Sequence, residues 1–147
     1  MKGNFKFFAP LKVRFNETDL QGHVNFAHYL SYFDVGLTEY LEAIGCSYQT
    51  LLAEGVDMLY AESHCKYRTP ARRPEVLLVG TRIARLGRQS IRFEFGVLAE
   101  EDGREVAGGH IVSVAATRDT RQPCPIPERL REAVARFEGV EPRLIAK

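Results

Sequence analysis

The chain has 147 residues, 45% of them apolar and 27% charged, with 20 Lys and Arg against 19 Asp and Glu for a formal charge of +1. This composition predicts one globular domain over residues 1–147, and a charge balance this even provides no global field for nucleic acid or an anionic membrane. The longest apolar runs, Val76–Val79 and Ile111–Ala116, fall far short of the roughly 20 residues that cross a bilayer. Neither nucleic acid nor membrane is expected as a partner.

In chain order, residues 1–9 set Phe5, Phe7 and Phe8 among single lysines without the apolar core or cleavage site of a secretory signal, which predicts a cytoplasmic protein. Leu11, Val13 and Phe15 alternate with Lys12, Arg14 and Asn16 and read as a half-buried strand. Phe26, Tyr29, Leu30, Phe33, Leu37, Tyr40, Leu41 and Ile44 then follow the period of a helix. Asn25 is placed to cap this helix and Gly45 to end it. Spanning Phe26–Ile44, it would be roughly 28 Å long. The small residues Ala27, Ser31, Val35 and Gly36 predict close packing and little exposed area.

A short amphipathic piece, Ser47–Ala53, leads into four strand-like stretches, Met58–Arg68, Glu75–Ala84, Ser90–Leu98 and Glu105–Thr117. Turn chemistry at Arg72-Arg73-Pro74, Leu86-Gly87-Arg88 and Glu101-Asp102-Gly103 joins them into an expected antiparallel meander. Pro123, Pro125 and Pro127 end the sheet, and Pro127 opens a terminal helix over Glu128–Phe137. Helices segregated from strands make the fold class α+β, one sheet wrapping one long helix.

Chemistry concentrates between the first strand and the long helix, in Glu17-Thr18-Asp19-Leu20-Gln21-Gly22-His23-Val24-Asn25. The residues leave two readings open. Asp19 and Gly22 are good turn formers, Asn25 is a good cap, and His23 can simply pack. Alternatively, the amides near Asn25 and Phe26 at the helix start can receive an oxyanion, with the Asp19 carboxylate nearby to attack a carbonyl or activate water. Elsewhere His28, His64 and His110 lack ligand spacing, so no metal is expected, and Cys46, Cys65 and Cys124 read as reduced thiols. Arg72, Arg73, Arg82, Arg85, Arg88 and Arg92 supply guanidinium groups suited to phosphate contacts.

The sequence from Val13 to Phe26, with Tyr29-Leu30 and Tyr32-Phe33 after it, resembles the opening of the 4-hydroxybenzoyl-CoA thioesterase family of hotdog-fold acyl-CoA thioesterases. The specific part is Glu17-Thr18-Asp19 followed by Gly22-His23-Val24-Asn25. Tyr67-Arg68-Thr69-Pro70, Leu86-Gly87-Arg88-Gln89-Ser90 and Pro125-Ile126-Pro127-Glu128 continue the resemblance, which covers roughly residues 10 to 137. It implies a hotdog fold, a homodimer or homotetramer with active sites at the subunit interface, and hydrolysis of acyl-CoA without metal or redox cofactor. Asp19 would be nucleophile or general base and the Phe26 amide the oxyanion donor, with Gly22, His23, Val24 and Asn25 positioning the loop.

The coenzyme's phosphates would fall to Arg88, Gln89 and Ser90, and more weakly to Arg72 and Arg73. Members acting on aromatic substrates carry bulkier apolar residues where His23 and Asn25 stand, so the chain is closer to the branch acting on acyl-CoA and acyl-carrier-protein thioesters. Phe33, Tyr40 and Tyr60 are candidates to bound the acyl pocket. An acyl-carrier-protein thioesterase, a hydratase of the same fold and a non-catalytic acyl-CoA binding module remain the alternatives.

Overall fold

A computed structural model describes residues 2–139 and, as backbone, residues 144–145. The remaining residues of the expected 1–147 span lie outside the described ones. Strands β1 (Phe7–Lys12), β2 (Val56–Tyr67), β3 (Val76–Gly87), β4 (Ser90–Ala99) and β5 (Glu105–Thr117) form an antiparallel sheet in the order β1-β3-β4-β5-β2. The helices are α1 (His28–Ala43), α2 (Tyr48–Ala53) and α3 (Glu128–Glu138), and a two-residue β6 (Leu144–Ile145) pairs in parallel with the end of β3.

The α+β class holds, and α1 packs across one face of the sheet, against β1, β3, β4 and β2, in keeping with the hotdog resemblance. Alternate residues of β3 and β4, Leu77, Val79 and Ile83 with Phe93, Phe95 and Val97, are buried on the face toward the helix. Phe33 of α1 stacks flat on Phe95 at 4.5 Å between ring centroids. Each such buried side chain contributes about 1.5–3 kcal/mol relative to exposure. Gly36 is the point of closest approach: a Cβ there would lie 2.6 Å from Thr81 Oγ1 and from Val79 Cγ1, so any larger residue would push the helix off the sheet. Gly45, at φ +83°, ends the helical segment as its position predicts.

The meander is confined to β3, β4 and β5. β1 occupies the outer edge of β3, in register from Phe7 opposite Thr81 to Lys12 opposite Val76. That edge being taken, β2 pairs with β5 at the far side of the sheet, and Arg72-Arg73-Pro74 belongs to a crossover rather than a hairpin. β3 also runs through Leu86 and Gly87, leaving only Arg88 and Gln89 as the turn.

The first strand begins earlier than the alternation suggested and stops at Lys12, because Arg14 turns back onto Glu17 in a short 3-10 segment, Phe15–Glu17. Phe15 is consequently 74% exposed. The helix is also less covered than expected. Tyr29, Tyr32, Phe33, Leu37, Tyr40 and Leu41 are buried, but Phe26, Leu30, Ser31, Asp34 and Val35 are exposed. One side of α1, and the outward edge of β2 with Tyr60 and Tyr67, are therefore open in the single chain. Among the described residues no helix is long and apolar enough to cross a membrane.

Candidate active site

The loop between β1 and α1 is closed on itself. Thr18 and Val24 form an antiparallel bridge, the Asp19 amide donates to His23 O at 3.0 Å, and the Gly22 amide donates to Asp19 O at 2.9 Å. Gly22 sits at φ +84°, a conformation glycine adopts without cost. Asp19 Oδ1 accepts from the Gln21 amide at 2.9 Å, while Oδ2 accepts no hydrogen bond from the described residues. Leu20 projects from the tip into solvent.

The helix start supplies the complementary group. Val24 N–H donates to Ala71 O, Asn25 N–H to Glu17 O and His28 N–H to Asn25 O, each between 2.8 and 3.0 Å, and Tyr29 N–H reaches Phe26 O at 3.4 Å. Asn25 Oδ1 takes the Ala27 amide at 3.0 Å, which closes a turn ahead of the helix rather than capping it as expected, because α1 starts at His28 with Ala27 in the cap position and no side-chain cap. Phe26 N–H is thus the one amide between Val24 and Tyr29 without a hydrogen-bond partner among the described residues.

Asp19, Gln21 and His23 face Phe26, Tyr29 and Tyr67 across an open cleft of about 330 Å³, which Val24, Arg68, Thr69 and Pro70 complete. Tyr67 packs edge-on against both Phe26 and Tyr29 and donates its hydroxyl to Phe26 O at 3.3 Å. Burial pushes the Tyr29 phenol up to about 12, so it stays neutral and adds no charge to the apolar wall. Asp19, with one oxygen unbonded, and Phe26, whose amide has no partner among the described residues, line the same cleft with an aromatic wall, an arrangement suited to attack on a polarised carbonyl.

A cleft of larger volume, about 420 Å³, lies between α1 and the start of β2. Its two carboxylates, Asp34 and Asp57, are already taken by the hydroxyls of Tyr60 and Tyr48. No sequence-derived site residue other than Tyr60 lines it. Phe33 and Tyr40 line neither cleft, since Phe33 is stacked in the core and Tyr40 is buried with its hydroxyl on Glu138.

Of the arginines, Arg72 and Arg73 precede β3 and Arg88 follows it, Arg85 lies within β3, and Arg82 and Arg92 are paired with Glu94 on the sheet. Arg72 bridges His23, and its guanidinium lies 3.5 Å from where a Gly22 Cβ would stand. Arg73 lies over the exposed Phe15 ring. Arg88, Gln89 and Ser90 sit at the opposite end of β3, on the order of 35 Å away for a strand of this length, and do not line the Asp19 cleft of the same chain. Among the described residues no group of three or more His, Cys, Asp or Glu side chains could hold a metal. His64 and His110 stack on each other, with His110 on Glu62, away from the loop. Burial pushes the Cys65 thiol up, away from the reactive thiolate.

Two anchors of the loop were not singled out from the sequence. Glu17 is buried, accepting from Arg14 N, from the Arg14 guanidinium and from Tyr32 Oη. Burial alone would raise its carboxyl, but the bonds from Arg14 and Tyr32 outweigh it and hold the group below the usual glutamate range. Arg104 donates to both oxygens of Glu75 at 2.7 and 2.8 Å and to Pro70 O at 3.0 Å, while Glu75 accepts Arg72 N–H at 2.8 Å. The segment behind His23 is thereby fixed from the β4–β5 hairpin, across more than 25 residues of sequence. No periodicity or local motif encodes such a contact.

The sequence profile of the thioesterase-like superfamily matches residues 13–134. The chain is 32% identical over 89 residues to the acyl-CoA thioesterase YbgC of Haemophilus influenzae, covering 60% of this chain and 65% of that protein. It is 26% identical over 124 residues to the long-chain acyl-CoA thioesterase FadM of Escherichia coli, covering 84% and 93%. A thioesterase of Thermus thermophilus, solved in complex with coenzyme A and zinc, matches with a TM-score of 0.79 at 33% identity, covering 95% of this chain and 98% of that one.

Replacing Arg104 by Ala takes the guanidinium from Pro70 O and leaves the Glu75 carboxylate only the Arg72 N–H, and should cost about 1–3 kcal/mol of stability. Chemical denaturation measures it. An unchanged midpoint and slope would mean that the crossover segment is held by other contacts.

Proposed function

Since this chain belongs to the thioesterase-like superfamily, we propose that it hydrolyses acyl-CoA thioesters to the free acid and coenzyme A, with Asp19 as the reactive group. The observation that carries this reading is the pairing across one cleft of Asp19, with one carboxylate oxygen unbonded, and the unpartnered Phe26 N–H. The thioester carbonyl would lie with its oxygen on the Phe26 amide, at the positive end of α1, where charge developing on that oxygen is stabilised.

Asp19 then acts in one of two balanced ways. As nucleophile it bonds to the carbonyl carbon and expels the thiolate, which takes a proton, and water cleaves the resulting anhydride. As general base it removes a proton from the water that bonds to the carbonyl carbon, the tetrahedral intermediate then expels the thiolate, and the proton held by Asp19 passes to that thiolate. Gly22 and Asn25 keep the loop and helix start in register, Val24 supplies apolar wall, and His23 lines the cleft beside the acid. No metal or redox cofactor is required by either route.

We also propose that the active unit is a homodimer joined along β2. Support comes from a 12-residue edge strand bearing exposed Tyr60 and Tyr67, beside the open side of α1 at Phe26 and Leu30. Antiparallel pairing of two β2 edges would bring the Arg88 end of one subunit toward the Asp19 end of its partner. In that arrangement Arg88, Gln89 and Ser90 can meet the coenzyme's phosphates from across the interface, while Arg72 and Arg73 approach from the same chain. The proposed compartment is the reducing cytoplasm, in keeping with three unbridged cysteines.

Asp19→Asn is nearly isosteric, retains an acceptor for the Gln21 amide and removes the charge. It should lower kcat by about 10²-fold or more with KM near its original value and the melting temperature kept. A folded variant with near wild-type turnover would sink the assignment. Sedimentation at micromolar concentration should give at least twice the 16.6 kDa chain mass, and a monomer that turns over normally would contradict the shared site.

A further inference from the structure

We propose that Glu17 is the positioning residue of the oxyanion site, aiming the Phe26 N–H into the cleft without itself touching substrate. This inference rests on the hydrolytic reading above. Glu17 belongs to the same acidic run as Asp19, yet its environment is the opposite. Oε1 accepts from Arg14 N and Tyr32 Oη, both at 2.9 Å, and Oε2 accepts from Arg14 Nη2 at 2.9 Å and Nε at 3.2 Å. With both oxygens occupied and the side chain buried, Glu17 has no lone pair facing the cleft and does not line it.

What the carboxylate fixes is its own backbone. Arg14 holds it from the end of β1 and Tyr32 from the buried face of α1, and Glu17 O accepts Asn25 N–H at 2.9 Å. Asn25 O is in turn committed to His28 N–H at 3.0 Å, inside the first turn of α1. In a trans peptide the N–H points opposite to the C=O of the same unit. With Asn25 C=O drawn into the helix, Phe26 N–H is directed out of it. Glu17 O thus fixes the Val24–Asn25 peptide and His28 N–H fixes the next one, so the direction of the Phe26 amide depends on both bonds, and Tyr32 Oη is the strut that ties the Glu17 carboxylate to the helix being aimed.

The test compares the wild-type protein with Glu17→Gln, Tyr32→Phe and the double variant, on an acyl-CoA that the wild type hydrolyses, from pH 5 to 9, with a thermal melt beside each. Glu17→Gln should lower kcat about 10- to 100-fold, Tyr32→Phe about 3- to 10-fold, both with KM within about twofold, since donor alignment acts on the transition state more than on binding. The pH profile should keep its shape and drop by a constant factor. The double variant should be no slower than Glu17→Gln alone, because both substitutions break one link.

Wild-type turnover in a folded Glu17→Gln protein overturns the proposal, as does a moved limb of the pH profile, which would make Glu17 a proton carrier. Losses that multiply in the double variant overturn it too. Should Glu17→Gln fail to fold, Tyr32→Phe decides alone, and wild-type kcat there refutes the strut. Asp19→Asn separates the two levels: full turnover in that variant defeats the hydrolytic reading itself, whereas its loss alongside an unaffected Glu17→Gln defeats only this inference.

Discussion

A carboxylate taken out of water is costly unless donors replace its hydration, and at Glu17 the Arg14 amide, the Arg14 guanidinium and the Tyr32 hydroxyl do so. Much of the candidate site depends on that substitution. It ends the approach from β1, turning the chain at Phe15–Glu17. It ties the loop to α1 and gives Asn25 a backbone partner. Once those bonds are made, an oxygen of Asp19 and the amide of Phe26 are among the polar groups of the junction that have no partner in the described residues. The pair proposed to react is drawn from what the structural hydrogen bonds leave unpaired.

The second constraint comes from behind. Arg104 and Glu75 hold Pro70 and Arg72, Ala71 O receives Val24 N–H, and the loop is gripped between the β4–β5 hairpin and the helix. A rigid loop suits thioester hydrolysis, in which a carboxylate and an amide must address one carbonyl group from two directions. It also accounts for glycine at position 22, where the backbone has a positive φ and the Arg72 guanidinium lies close.

Features set by local chemistry could be read from the sequence. The period from Tyr29 to Leu41 marked the buried face of α1, Gly45 marked its end, and Asp19, Gly22, Asn25 and Phe26 were picked out as one cluster. The family resemblance added what periodicity could not, a role for Asp19. Features set by distant partners could not be read. The position of β2 depended on β1 taking the outer edge of β3, which no alternation within β2 encodes. The exposed side of α1 reads as buried because Phe26 and Leu30 carry apolar side chains, yet none of the described residues covers them. Arg88 was grouped with Arg72 by residue type, and the length of β3 separates them. Glu17 and Asp19 look alike in sequence, and only burial distinguishes the acid that holds from the acid that is free.

The central claim is that an unbonded Asp19 oxygen and the Phe26 amide together turn over a bound thioester. Its most direct measurement is the release of free thiol by the wild-type protein from a panel of acyl-CoAs of different chain length and polarity, with acyl-CoA binding measured in parallel by calorimetry. The account predicts multiple turnovers on at least one member of the panel, with acid and thiol formed in equal amounts. Saturable binding of acyl-CoA with no thiol released from any member would contradict it and leave the cleft as a site that only binds.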